Sequence, residues 1–165
     1  MDLVIVRHAI AFDRDPDAWP DDGERPLTRR GRRRFRRAAR GLEAAVPRPA
    51  VLLSSPWLRA RQTAEILVEE AGWPTPVICD ALAGGKPEEV LECLKEHAAG
   101  PIALAGHEPY LGQLVSYLLT GDAARLQVEL KKGGAARLTF PDALVPGSAA
   151  LLWVLPARAL RALRP

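Results

Sequence analysis

The sequence has few of the residues that build disulfides and metal sites. It contains two cysteines and three histidines in 165 residues. Cys79 and Cys93 are too far apart for a CxxC motif, and neither has a histidine-rich neighbourhood. HxH and HExxH patterns are missing as well. The sequence therefore favours two buried free thiols and predicts neither a metal site nor a cofactor.

Long apolar runs and nucleotide-binding loops are also missing. No apolar stretch approaches the roughly 20 residues of a membrane span, and the first residues lack the basic and apolar segments of a signal peptide. We therefore expect a cytoplasmic protein that does not bind membranes. The chain has no GxxxxGK[ST] loop and no GxSxG motif, which argues against P-loop nucleotide hydrolases and serine hydrolases of the nucleophile-elbow type.

Lysine is scarce, and arginine supplies most of the positive charge. The net charge is +3, but eight arginines crowd one segment: Arg29, Arg30, Arg32, Arg33, Arg34, Arg36, Arg37 and Arg40. An apolar stripe from Phe35 to Val46 at helical spacing, with Thr28 as N-cap, predicts a surface helix. Such a block attracts anionic partners. Nucleic acid is disfavoured because the only aromatic residue in the block belongs to the stripe, whereas an acidic protein stays open.

The chain is organised around its first strand. Leu3 to Val6 form a short apolar run, rich in β-branched residues, that stops on Arg7 and His8. Such a run predicts a strand buried on both faces, as in a parallel sheet. Ligands of open α/β sheets bind outside the carboxyl ends of the strands. We therefore expect Arg7 and His8 at the mouth of a site.

Two later strand-to-helix junctions repeat this pattern. A strand over Ala50–Leu53 leads to Ser55, a predicted N-cap, and to a helix from Trp57 to about Ala71 that carries Arg59 about one turn inside. A strand over Ile102–Ala105 stops on Gly106 and His107, before a helix that opens at Glu108-Pro109. Three junctions at one sheet edge would bring together Arg7, His8, Arg59 and His107.

These four side chains suit a dianionic, tetrahedral group. Arginine offers planar forks that pair with phosphate oxygens. A neutral imidazole can act as nucleophile, and a second, protonated imidazole can stabilise charge. Phosphoryl transfer needs mainly positioning and charge neutralisation, which this set supplies without a metal.

The remaining segments fit one domain over residues 1–165. Residues 9–26 form a long loop, either a rim of the site or a solvated connector. A helix over Pro87–His97 ends on His97, which we interpret as structural. Strands over Leu126–Leu130 and Ala135–Phe140, joined by a turn at Lys131–Gly134, and a last strand over Ala149–Leu155 complete the chain. No interface signal stands out, so a monomer is favoured.

Three blocks in this order resemble the histidine phosphatase superfamily. They are Arg7-His8-Ala9, the run from Ser55 to Ala64 (SPWLRARQTA), and Ala105-Gly106-His107-Glu108-Pro109. The short length, Arg25–Thr28 (RPLT) and Lys131–Leu138 (KKGGAARL) resemble most closely the SixA-type phosphohistidine phosphatases. The resemblance implies the phosphoglycerate-mutase-like fold, a three-layer α/β/α sandwich whose mostly parallel sheet has an antiparallel edge.

The resemblance also implies roles for the four residues. His8 would be the nucleophile and become transiently phosphorylated. Arg7 and Arg59 would clamp the phosphoryl oxygens, and His107 would complete the pocket and stabilise the transition state. The implied substrate is a phosphorylated protein of the histidine phosphotransfer type. A broad small-molecule phosphatase stays open as the alternative, and a phosphoglycerate mutase fits less well because the substrate-capping insertion is missing.

The chain departs from many relatives in the segment that supplies an acid to the leaving group. The candidates are Asp80, Glu88, Glu89 and Glu108, and each fits a cap or a surface charge better. An alkoxide needs such a proton, whereas an imidazole nitrogen is easily protonated and leaves without strong assistance. The missing acid therefore favours phosphohistidine over sugar phosphates, and the short segment favours an open site.

Overall fold

A computed structural model, which describes residues 1–164, places a six-stranded sheet between two layers of helices. The strands are β1 (Asp2–Arg7), β2 (Val51–Ser54), β3 (Val77–Ile78), β4 (Ile102–Gly106), β5 (Ala135–Thr139) and β6 (Ala150–Leu155). The helices are α1 (Arg29–Ala45), α2 (Leu58–Ala71), α3 (Pro87–Glu96), α4 (Tyr110–Thr120) and α5 (Ala157–Leu163), with short 3-10 helices at Asp22–Glu24 and Asp80–Ala83. Within this part of the chain, no helix has both the length and the apolar character to cross a bilayer.

The sheet has the order β3-β2-β4-β1-β5-β6. Strands β3, β2, β4 and β1 are parallel, whereas β5 runs antiparallel to β1 and β6 antiparallel to β5. Alternate side chains of β1 enter different cores, with Val4 and Val6 facing the layer of α1, α2 and α5, and Leu3 and Ile5 facing α3 and α4. The predicted three-layer sandwich, with its mostly parallel sheet and antiparallel edge, is confirmed.

Helix α1 is held at both ends by close backbone approaches. Its N-cap Thr28 accepts a hydrogen bond from the Gly31 N–H at 2.9 Å, as predicted. A Cβ atom at Gly31 would lie 2.0 Å from the carbonyl oxygen of Ile10, and one at Gly41 would lie 1.8 Å from that of Leu160. The two glycines therefore let α1 touch the loop after His8 and the C-terminal helix α5.

The predicted strand over Leu126–Leu130 and its hairpin are wrong. Residues 121–134 contain no helix or strand, and β5 pairs with β1 and β6 instead. The segment instead bonds to side chains that lie at the end of β1 and just after the end of β4. The Leu130 N–H donates to Glu108 Oε1 at 2.7 Å, and the Leu130 carbonyl accepts from Arg7 at 2.6 Å. The turn itself forms, with Gly133 at a φ of 71°. These contacts outweighed the local alternation of apolar residues.

We predict that Gly41→Ala destabilises the protein, although alanine is the better helix former. The added methyl group would overlap the Leu160 carbonyl, which belongs to the backbone and can move only with α5. Overpacking of this kind costs about 1–3 kcal/mol in the free energy of unfolding, measurable by urea denaturation. The matched control is Ala44→Gly at an exposed position of α1, which should cost about 1 kcal/mol through helix propensity alone. A Gly41→Ala variant as stable as the parent would contradict the close packing.

Candidate active site

Backbone hydrogen bonds align the carboxyl ends of three parallel strands. The His8 N–H donates to the Gly106 carbonyl and the Ser55 N–H donates to the Ala105 carbonyl, both at 3.0 Å. These bonds continue the sheet pairing just past the ends of β1 and β2. His8, Ser55 and His107 therefore emerge side by side at one edge of the sheet.

His8 and His107 form a buried imidazole pair. Their ring centroids are 5.1 Å apart, and their exposed fractions are 6% and 2%. The Nδ1 atom of His8 lies 2.7 Å from the carbonyl oxygen of Ala9, which can only accept. Nδ1 therefore carries the proton, and Nε2 of neutral His8 keeps a free lone pair.

Ser55 orients His107 instead of capping a helix. Its hydroxyl oxygen lies 2.8 Å from His107 Nε2 and accepts from the Trp57 N–H at 3.3 Å. Helix α2 begins only at Leu58, and its N-cap residue Trp57 makes no side-chain cap. The predicted N-cap role of Ser55 is thus wrong, because the serine faces the imidazole of the next strand. The Trp57 ring packs on His107 with centroids 4.6 Å apart.

Arg59 is the second residue of α2, earlier than the predicted position one turn inside. Its side chain is 4% exposed, and its guanidinium carbon lies 4.5 Å from the centre of the Trp57 ring. It donates to the carbonyl oxygen of Asp22 at 2.7 Å and to that residue's carboxylate at 3.1 Å. The guanidinium is therefore locked in place beside the imidazoles.

Several buried nitrogens of the site have no partner. Arg7 donates from Nη1 to Leu130, but its Nε has no hydrogen-bond partner among residues 1–164, and the same is true of Arg59 Nε and His107 Nδ1. Burying a polar nitrogen without a partner costs free energy, and such groups are uncommon in folded proteins. Three of the five such nitrogens among the described residues belong to this site, which indicates a place that accepts a ligand with several acceptor oxygens.

Sequence analysis missed Asp22 and Arg25. Both lie at the end of the long loop, where Arg25 Nε donates to Asp22 Oδ1 at 2.8 Å and Asp22 in turn holds Arg59. The hydrogen bond from Arg25 and the charges of Arg59 and Arg25 lower the pKa of Asp22, although partial burial opposes the shift. The loop therefore forms a rim of the site, one of its two predicted roles. The only sequence signal for this role was that the loop directly follows His8. The loop contains five aspartates, and the sequence does not distinguish Asp22 from the others.

Both imidazoles are neutral in the arrangement described. Burial is the main cause that lowers the pKa of His8 to about 3, and the charges of Arg59 and Arg7 add to it, against the opposing hydrogen bond to Ala9. Burial, His8 and Arg59 lower the pKa of His107 to about 2. The expected protonated partner imidazole is therefore not formed by these protein groups alone. A dianion beside them would favour the charged form.

None of the four candidate acids is positioned as a proton donor. Glu108 accepts hydrogen bonds at both carboxylate oxygens, from the N–H groups of Gly112 and Leu130 at 3.0 and 2.7 Å. Glu89 accepts from the Lys86 N–H at the start of α3, and Asp80 and Glu88 are exposed. His97, interpreted as structural, has its Nδ1 2.9 Å from the Cys93 carbonyl, one turn earlier.

A cavity of about 770 Å³ borders the site beside Arg7. Glu108, Gly112 and the irregular segment before β5 form its walls. Within residues 1–164, no group of three or more His, Cys, Asp or Glu side chains is arranged to hold a metal ion. The site contains a neutral imidazole that can act as a nucleophile, guanidinium groups that can neutralise an anion, and a second imidazole.

We predict that the protein loses stability as the pH falls from about 7 to 5. An unfolded histidine takes up a proton near pH 6.5, whereas folded His8 and His107 resist protonation until far lower pH. The unfolded state therefore binds more protons in this interval, and the free energy of unfolding falls by up to about 1.4 kcal/mol per pH unit for each imidazole.

Urea denaturation across this pH range tests the prediction. The double variant His8→Asn/His107→Gln should flatten the slope, because neither replacement side chain takes up a proton in this range. An unchanged slope in the double variant would show that these imidazoles are not held neutral.

Comparisons with known proteins agree with this geometry. Residues 3–83 match the model of the histidine phosphatase superfamily (branch 1). An uncharacterized protein of Picosynechococcus sp. is 38% identical over 138 residues, which cover 81% of this chain and 82% of the relative. The structure is also similar to the protein histidine phosphatase SixA complexed with tungstate, with a TM-score of 0.83 and 24% identity over 97% of this chain and 99% of that chain.

A candidate phosphohistidine phosphatase SixA from Nakamurella multipartitia is 26% identical, with a TM-score of 0.73 over 93% of this chain and 94% of that one. Phosphoserine and alpha-ribazole phosphatases share the fold at lower identity. The family model covers the first two of the three blocks, and the sequence relative extends the similarity over most of the chain. The chain thus belongs to the histidine phosphatase superfamily, and it is a phosphatase.

Proposed function

We propose that the protein hydrolyses phosphohistidine on a protein substrate through a covalent phosphohistidine intermediate. The observation that carries the proposal is the environment of His8. Its Nε2 lone pair is free, and unpaired buried nitrogens of Arg7, Arg59 and His107 surround it. This combination suits attack on a tetrahedral dianion. The similar SixA structure that holds tungstate, a tetrahedral oxyanion, supports the same ligand shape.

The reaction has two displacement steps. His8 Nε2 attacks phosphorus while the bond from phosphorus to the substrate imidazole breaks, and the released nitrogen takes a proton. Water then attacks the phosphoryl group on His8, forming a P–O bond as the P–Nε2 bond breaks, and inorganic phosphate leaves. Arg7 and Arg59 neutralise the equatorial oxygens in both steps, and His107 stabilises their charge.

The carboxylates around the site favour a nitrogen leaving group. Asp22 lies close enough to contact Arg59, but its lowered pKa keeps it ionised, so it has no proton to give at neutral pH. Glu108 uses both oxygens as acceptors. Cleavage of an alkyl phosphate needs a proton donor, whereas a phosphoramidate needs less assistance. These contacts support phosphohistidine as the substrate.

A broad small-molecule phosphomonoesterase is the second candidate. The cavity of about 770 Å³ beside Arg7 could hold the organic part of a phosphate ester, and Glu108 lines it. In that case Glu108 would have to exchange one of its backbone partners for the leaving oxygen. The phosphatases of known structure that share the fold include both kinds of enzyme.

The proposal includes a cytoplasmic location. Cys79 and Cys93 are free thiols at the same core, but only Cys79 is buried as predicted, whereas Cys93 is half-buried and packs against the core. Free cysteines are typical of a reducing compartment.

The proposed function predicts selective release of phosphate from a phosphohistidine protein. The assay compares this substrate with a phosphoserine protein and 3-phosphoglycerate, all in EDTA. We expect phosphohistidine to be cleaved at least about a hundredfold faster, because only its leaving group dispenses with a strong acid. Equal or faster release from 3-phosphoglycerate would favour the second candidate.

The matched variant is His8→Ala, which should abolish turnover and labelling of the enzyme by the phosphoryl group. His97→Ala, a change at a half-buried histidine outside the site, should retain both. Labelling that survives in His8→Ala would reject His8 as the nucleophile.

We predict that Asp22→Asn binds inorganic phosphate more tightly than the parent does. The Asp22 carboxylate occupies Arg59 and offsets its charge, so a neutral amide there should strengthen phosphate inhibition by about three- to tenfold. Asp17→Asn, in the same loop but exposed, is the control and should not change it. Weaker inhibition in Asp22→Asn would mean that the carboxylate positions Arg59 more than it competes for it.

A further inference from the structure

Six of the eight arginines in the run of α1 form two groups with different surroundings. Arg36 and Arg40 form ion pairs with Glu69 and Glu70 of α2. Arg30, Arg33, Arg34 and Arg37 lie on another face of the helix, at intervals of three and four residues. Among residues 1–164 none of these four has a carboxylate within 4 Å.

Helix α5 adds a fifth arginine to this unpaired group. Arg161 joins the four residues in lining a cleft of about 330 Å³, and among residues 1–164 its walls are formed by arginine alone. Its position follows from the close contact between Gly41 and Leu160, which holds α5 on α1. Burial and the charges of Arg34 and Arg37 lower the pKa of Arg161. The fold thus keeps like charges together, and within residues 1–164 no carboxylate lies within 4 Å of them.

The arginine cleft continues into an apolar cavity that is lined by the residues directly after His8. This second cavity, of about 480 Å³, shares Arg34 and Arg161 with the cleft and has Ile10 and Phe35 in its lining. Its rim is basic, with Lys131, Lys132 and Arg158. Ala9 and Ile10, which also line the cavity, are the two residues that follow His8 in the sequence.

We propose that the cleft and the cavity together form the docking groove for an acidic surface of the phosphoprotein substrate. This inference rests on the proposed function. An apolar centre with a charged rim is the usual anatomy of a protein interface. The unpaired arginines select a partner with several carboxylates near its phosphohistidine, because opposite charges steer and orient the encounter. A small phosphate compound would fill the catalytic site without reaching the groove.

The test compares two variants with the same change of charge on the same helix. Arg33→Glu/Arg37→Glu reverses the groove, whereas Arg29→Glu/Arg32→Glu reverses two arginines that do not line it. The substrate is a histidine-phosphotransfer domain with acidic residues around its phosphohistidine, and phosphoramidate ion serves as the small substrate. We expect the groove variant to raise KM for the protein about tenfold or more, with kcat and phosphoramidate turnover unchanged.

Two further measurements separate the possible causes. Arg161→Glu alone should also raise KM for the protein several-fold, because it alters the groove from α5 and leaves the α1 run intact. In the parent, KM for the protein should rise with salt, and this dependence should weaken in the groove variants. If the groove and control variants raise KM for the protein equally, the effect comes from the overall charge of the enzyme, and the docking groove is overturned.

Binding measured without turnover keeps this inference separate from the proposed function. Calorimetry with the unphosphorylated domain should show binding that the groove variants lose and the control variant keeps. If the parent binds the domain in this way but does not hydrolyse it, the docking groove stands and the proposed function fails. If the parent hydrolyses the phosphorylated domain while groove variants keep its KM, the docking groove fails. Groove-dependent binding of duplex DNA in place of the domain would also overturn it.

Discussion

Backbone pairing between neighbouring strands is the constraint on which the rest of this structure depends. The bonds from His8 to Gly106 and from Ser55 to Ala105 extend the parallel ladder by one residue past the strands. Two side chains from distant parts of the sequence therefore meet without any flexible segment between them. Reacting groups held on rigid strand ends lose little entropy when the substrate arrives.

The floor of the site was predictable from the sequence, whereas its rim was not. Short apolar runs that stop on Arg7-His8 and Gly106-His107 predict the ends of two strands, and the parallel pairing of these strands brings the two histidines together. Asp22 carries no comparable signal, because any of five aspartates in an irregular loop could face the site. The predicted strand over Leu126–Leu130 was wrong for a related reason. The side chain of Leu130 is buried, as a strand would require, but its backbone N–H and carbonyl are hydrogen-bonded to the side chains of Glu108 and Arg7 and pair with no neighbouring strand. The grouping of Arg161 with α1 depends on the packing of α5, which local periodicity does not reveal.

Burial determines the protonation state of the two histidines more than hydrogen bonds or nearby charges do. The imidazoles stay neutral because water is excluded and guanidinium groups are near. A neutral imidazole is the form that can attack phosphorus, so the same desolvation that disfavours charge suits His8 to the proposed role of nucleophile. A dianion beside His107 would favour its protonated form, so this imidazole would add its charge to the guanidinium groups only when such a ligand is bound.

The contact between Gly41 and Leu160 has an evolutionary consequence. It places the groove on two helices, while the reacting groups are on strand ends and at the start of α2. Substitutions on the outer faces of α1 and α5 can then exchange one partner for another without disturbing the strand ends. Under the proposed function, recognition and chemistry therefore use separate parts of the fold, and copies of the gene could diverge in partner while keeping the reaction.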